Sequence, residues 1–192
     1  MRLRTGSELI NPFRVLERVG IRERMRVVDM GCGALGHFVF PAAQLVGPRG
    51  KVYGVDILKE VLDILARRMK EDQYNNVEAV WADMDVYRAT RVPEGEMDLT
   101  ILANNIFLSE HRPHLVKELA RITKKGGRVL VIDWVPTATV LGPPADRRLP
   151  QSNVKQLFKV PEFTFEEEFE AGKAHYALVF TRTDADVIPP KD

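Results

Sequence analysis

The ten residues Val27-Val28-Asp29-Met30-Gly31-Cys32-Gly33-Ala34-Leu35-Gly36 constrain this chain more than any other stretch. An apolar run ends at a carboxylate and passes at once into glycines, with helix-compatible sequence beyond. Glycine lets a backbone turn sharply and lets a ligand approach it closely. A strand–turn–helix unit of this kind belongs to open α/β sheets, whose ligands sit beyond the carboxyl ends of the strands. Two later strand patterns repeat the arrangement. Residues 51–56 end at Asp56, 27 residues after Asp29, and residues 77–82 lead into Asp83, another 27 on. Three carboxylates at three successive strand ends make a concave wall rich in hydrogen-bond acceptors.

The rest of the chain alternates in the same way. Asn11-Pro12 places a capping side chain before a proline, and Phe13, Leu16 and Val19 follow at helical spacing up to Gly20. A second helix carries Pro41 in its first turn and stops at Gly47-Pro48-Arg49-Gly50. Leu58, Val61, Leu62, Leu65 and Met69 mark a third. Strand four covers residues 97–103. The next helix, with Leu115, Val116, Leu119 and Ile122, is closed by Lys124-Lys125-Gly126-Gly127, where those lysines and Arg121 suit the helix dipole. Residues 128–134 read as a strand buried on both faces, as in parallel sheets. Ser152 is expected to cap a short helix through Phe158. Two alternating stretches around Gly172 predict a hairpin. Strands alternating with helices imply a parallel sheet with right-handed crossovers. Residues 1–183 are expected to form one domain, with 1–26 as an N-terminal helix and substrate cover and 184–192 as a loose tail.

Composition excludes several classes. The 192 residues carry 28 Lys+Arg against 27 Asp+Glu, a net charge of +1, so no general attraction to nucleic acid or anionic lipid is expected. The clusters Arg22, Arg24, Arg26 and Arg147, Arg148 read as solvated surface. One cysteine, Cys32, excludes an internal disulfide and a zinc site built on several thiolates, and no metal is expected. No apolar run approaches the roughly 20 residues that span a bilayer, and no apolar signal core follows Met1. A cytoplasmic location is expected.

The motifs in their order resemble the class I S-adenosylmethionine-dependent methyltransferases, and within them small ubiquinone/menaquinone-biosynthesis-like methyltransferase-domain proteins. Val27 to Gly33 matches the family's hydrophobic-Asp-x-Gly-x-Gly motif. Asp56 matches the acidic end of strand two, and Ala82-Asp83 the pair after strand three. Asp98 to Asn105 matches the strand-four segment, and Lys124 to Val131 the late Lys-x-Gly-Gly-x-hydrophobic motif. The resemblance implies a three-layer α/β/α Rossmann-like sandwich, its mostly parallel seven-stranded sheet closed by an antiparallel C-terminal hairpin. It implies S-adenosyl-L-methionine as cofactor, S-adenosyl-L-homocysteine as product, and in-line methyl transfer to an acceptor, expected to be a small molecule. The cofactor-binding residues carried over are Asp29, Gly31, Cys32, Gly33, Asp56, Ile57, Asp83, Met84, Ala103 and Asn104. Asp56 is suited to ribose hydroxyls and Asp83 to an adenine amine. Asp29 is suited to an amino group and to holding the glycine turn, whose free backbone amides complete the grip. The family's third motif glycine falls one position late, at Gly36.

Gly31-x-Gly33-x-x-Gly36 with Asp56 twenty residues on also fits a dinucleotide fingerprint, so an NAD-dependent oxidoreductase is the rival reading. A non-catalytic cofactor-binding or activating subunit is another. An acidic residue two before the first glycine opposes a pyrophosphate. No side chain is assigned as catalytic. His37, His111, His114 and His175 are the available bases, with His37 expected at the solvent-facing start of a helix. Cys32 reads as a small apolar filler. Trp134, Phe107 and Met84 can line an acceptor pocket, with a core role as the default.

Overall fold

The computed structural model describes residues 10–137 and 142–190. The start of the expected cover, residues 1–9, lies outside the described residues. So do residues 138–141 and the last two of the tail.

Among the described residues seven strands form one sheet. They are β1 (Arg26–Met30), β2 (Lys51–Asp56), β3 (Val77–Trp81), β4 (Met97–Ala103), β5 (Thr123–Trp134), β6 (Phe163–Gly172) and β7 (His175–Arg182). Their order is β3-β2-β1-β4-β5-β7-β6. The first five run parallel, while β7 lies antiparallel between β5 and β6. Strand order reverses between β1 and β4, and a crevice opens there at the carboxyl ends.

Helices α1 (Pro12–Arg18), α2 (Val39–Val46) and α3 (Lys59–Glu71) cover one face, with Leu16, Val46 and Leu65 packed against Val27, Ile101 and Ile132. Helices α4 (Arg112–Ile122) and α5 (Gln151–Leu157) cover the other, with Leu115, Leu119 and Val154 against Val28, Leu102 and Val131. The period-two alternation of each central strand thus feeds two separate cores, which makes three layers. Asn11 caps α1 as its sequence position implies, accepting from the Arg14 amide at 3.2 Å.

Four expectations are corrected. Strand five starts at Thr123, which pairs with Met97 before a register shift at Leu99. Lys124 to Gly127 therefore belong to β5 and not to a helix end, and Lys124 pairs with Asp98. β3 stops at Trp81, so Asp83 stands in the turn after it. Ser152 does not cap α5, which begins at Gln151 behind Pro150; the serine hydroxyl meets the Asn153 side chain instead. Two arginines are buried: Arg121, read as a cation suiting the helix dipole, and Arg148, read as solvated surface. The Arg121 guanidinium forks onto Glu118 at 2.8 and 2.6 Å, and Glu118 also accepts from the Thr90 hydroxyl and the Arg88 amide. Arg148 donates to the carbonyls of Pro143, Val135 and Thr137 and so folds the segment after β5. A buried cation persists because its fixed donors are used.

Candidate functional site

Two cavities open at the carboxyl ends of the strands and share Gly31 and Gly33. The larger, about 700 Å³, lies over β2 and β3 and is lined by Asp56, Ile57, Asp83, Met84 and Asn105. The smaller, about 280 Å³, lies over β1 and β4 and is lined by Asp29, Cys32, His37, Ala103 and Asn104. All ten residues singled out from the sequence line one cavity or the other.

The turn between the cavities is held from below. The amides of Gly31 and Cys32 both donate to the Val55 carbonyl, at 2.8 and 2.9 Å. The Gly33 amide donates to Asp56 Oδ2 at 3.1 Å, and Gly36 to the Gly33 carbonyl at 3.1 Å. The amides of Gly31, Cys32, Gly33 and Gly36, expected to be free, are therefore engaged within the protein. Gly31 has φ +79, and a Cβ on it would stand 2.3 Å from the Asn105 amide nitrogen. Gly33, at φ +63, faces open space. The late Gly36 is a packing position, because a Cβ there would meet Phe40 and Leu65.

Asp29 does not hold the turn as expected. Its Oδ1 is buried without a hydrogen-bond partner, and burial together with the nearby Asp56 carboxylate pushes its pKa up to about 7. The turn is fastened by Asn105, whose amide nitrogen lies 2.9 Å from the Gly31 carbonyl and 2.7 Å from that of Ala103. Asn104 takes φ +59 at the end of β4, and its Oδ1 is also buried without a partner. Left-handed backbone at a residue other than glycine stores strain and clusters at functional sites. His37 is half-buried, not solvent-facing, and its Nε2 is a third unpartnered acceptor on the same cavity.

In the larger cavity the three aspartates have partners. Both Asp56 oxygens accept from backbone amides, of Gly33 and Leu58. Asp83 accepts from the Asp85 amide at 2.9 Å. Asp85, which sequence reasoning missed, binds the Ser109 hydroxyl at 2.6 Å and the Glu110 amide at 2.8 Å. It thereby ties the β3 exit to the loop before α4. Exposed Ile57, Leu58, Val86 and Leu108 form an apolar rim. Cys32 is buried, and desolvation with Asp29 and Asp56 nearby holds its thiol protonated, which suits a filler. Among the described residues no group of three or more His, Cys, Asp or Glu is placed to hold a metal ion. No helix among them is long and apolar enough to cross a membrane.

A family model described as a methyltransferase domain matches residues 21–182. A demethylmenaquinone methyltransferase of Lactococcus lactis subsp. lactis is 28% identical over 120 residues, 62% of this chain and 46% of that protein. A nocamycin O-methyltransferase of Saccharothrix syringae is 30% identical over 145 residues, 72% of this chain and 50% of that protein. The chain spans about half the length of these curated relatives. The crystal structure of a SAM-dependent methyltransferase from Aquifex aeolicus superposes with a TM-score of 0.85 at 23% identity, covering 94% of each chain.

Proposed function

The chain belongs to the methyltransferase domain family, and from that premise we propose that it transfers a methyl group from S-adenosylmethionine to a small, largely apolar acceptor. The observation that carries this reading is the pair of cavities joined at Gly31 and Gly33, with a carboxylate in each. A ligand with a vicinal diol at one end and an ammonium group at the other suits both.

The residues fit that cofactor. Asp56 keeps free lone pairs beyond its two backbone bonds and can accept from ribose hydroxyls. Asp83 and Met84 offer an acceptor and a soft apolar surface to an adenine ring. The unpartnered Asp29 Oδ1 is available to an ammonium group, and the open space above Gly33 leaves room for a ligand pressed against the turn. The engaged turn amides argue against a dinucleotide, whose pyrophosphate draws on free N–H groups at such a turn.

When bound, S-adenosylmethionine supplies an electrophilic methyl group. The protein's part is alignment and exclusion of water, and alignment alone can contribute ~7–11 kcal/mol. The apolar rim of the larger cavity and relatives named for demethylmenaquinone and ubiquinone/menaquinone methylation support an apolar ring acceptor. Calorimetry with S-adenosylhomocysteine and NADH, followed by radiolabelled methyl transfer to a short-chain demethylmenaquinol, tests the reading. Tight binding of S-adenosylhomocysteine alone, with label in the quinol, is expected; binding of NADH instead would refute it.

A further inference from the structure

A cavity of about 630 Å³ opens at the amino ends of β4 and β5, the reverse end of the sheet from the glycine turn. Its wall is shared by the stretch before β4, the start of β5 and the chain after β7. Five cationic side chains line it, Arg88, Arg121, Lys124, Lys125 and Arg182, against the carboxylates of Glu94 and Asp186.

Pairing settles four of these cations unequally. Arg121 is held by the buried Glu118 at 2.6 Å, and Lys124 by Asp98. Arg88 and Lys125 reach only exposed carboxylates across longer gaps, Glu94 at 3.5 Å and Asp186 at 3.8 Å. Exposed pairs of that length contribute little and are readily exchanged. Arg182 is 4% exposed, and no carboxylate among the described residues forms an ion pair with it; Glu162, Asp186 and Asp184 act only from a distance. Its Nε donates to the Ala120 carbonyl at 3.0 Å and its Nη1 to the Thr183 carbonyl at 2.8 Å, while Nη2 makes no bond among the described residues. A buried cation is costly until an anion compensates it.

Two guanidinium forks and an ammonium around one opening form the donor set that phosphate oxygens match. Tyr87, Val187 and Pro189 give the cavity an apolar side. A nucleic-acid backbone is a poor match, because it needs an extended basic face, whereas Arg182 is recessed and the whole chain carries a net charge of only +1. We propose that this cavity binds a small molecule bearing two or more linked phosphates, with Arg182 Nη2 donating to one phosphate while Arg88 and Lys125 leave Glu94 and Asp186 for the others. The site is separate from the two cavities at the glycine turn and stands whether or not a methyl group is transferred there.

Calorimetry of the full chain with sodium tripolyphosphate tests the site, and one saturable binding event is expected. Arg88→Gln and Lys125→Gln should each weaken it about two- to fivefold, and Arg182→Gln about tenfold or more. Asp186→Asn, which removes a competing carboxylate, should tighten it about twofold. Glu170→Gln, the same change of charge on an exposed residue of β6, should leave it unaltered. Uridine triphosphate separates the two sources of linked phosphates: affinity equal to that of tripolyphosphate assigns the site to the phosphate chain alone, and tighter binding assigns it to a nucleotide. In chain labelled with ¹⁵N-arginine, the Arg182 Nε–H, shielded by its bond to Ala120, should shift along the same saturation curve, which decides the matter even if Arg182→Gln misfolds. Absence of saturable binding, an unmoved Arg182 signal, or equal gains from Asp186→Asn and Glu170→Gln overturns the site.

Discussion

The two cavities that meet at Gly31 and Gly33 are built on opposite principles. Over β2 and β3 the three aspartates are already occupied: Asp56 by two amides, Asp83 by the Asp85 amide, and Asp85 by the Ser109 and Glu110 donors. Over β1 and β4 the acceptors are bare: Asp29 Oδ1, Asn104 Oδ1 and His37 Nε2. The first wall is rigid before anything binds, and a ligand adds bonds to a finished frame. The second holds unmet hydrogen bonds that a ligand completes. A preorganised wall gives affinity at little entropic cost, whereas a buried unpaired acceptor penalises the empty state and so favours the filled one.

The largest effect that would break this contrast is Gly31→Ala. Its Cβ displaces Asn105 and forces left-handed backbone on alanine, for roughly 1–3 kcal/mol from the backbone alone. S-Adenosylhomocysteine binding should disappear, and the midpoint of urea unfolding should fall.

Asp29→Asn comes next, and it acts through pH. The folded pKa of about 7 lies above the unfolded value, so the ligand-free fold binds the extra proton between them. Asp29 therefore costs stability as pH rises from about 4 through about 7, in total on the order of 4 kcal/mol at ~1.4 kcal/mol per unit. The ligand-free variant should gain stability over wild type between pH 5 and pH 8 in chemical denaturation. Wild-type affinity for S-adenosylmethionine should rise through pH 7 with proton release, seen as a buffer-dependent heat, and the variant should show neither. Equal pH dependence in both would erase the distinction between the cavities.

Asp56→Ala should weaken S-adenosylhomocysteine binding by ~1–3 kcal/mol, measured by calorimetry, through lost charge-assisted hydrogen bonds. The smallest effect on the fold is expected of Gly33→Ala. Nothing lies within 4 Å of the added methyl, so stability should drop by only ~1 kcal/mol while ligand affinity suffers more. A variant that binds normally would move the ligand away from the turn.

What the sequence disclosed and what it concealed follow the same division. β1, β2 and β4 have the limits their apolar runs imply, and the hairpin around Gly172 forms where alternation places it. Those features depend on neighbours in the chain. Asn105, Asp85 and the reach of Glu118 to Arg88 and Thr90 depend on loops and helices that meet only after folding, and no spacing rule identifies them. Arg148 illustrates the same point: beside Arg147 it reads as surface, yet the chain folds back over it and turns its donors inward. The early start of β5 was hidden because two lysines and two glycines interrupt the apolar pattern, although the strand continues through an irregular pairing.

The stretch from Trp81 to Met97 is riveted at both extremities. Asp85 joins its front to the loop ahead of α4, while Glu118, on α4 itself, grips Arg88 and Thr90 at its rear. The outer jaw of the larger cavity is thus a passenger on that helix, without independent play. Substitutions at Thr90 or Glu118, far from the mouth, should therefore be felt there as a change in its gape, and evolution can retune the grip on a nucleoside from the back of the molecule while every contacting residue stays the same.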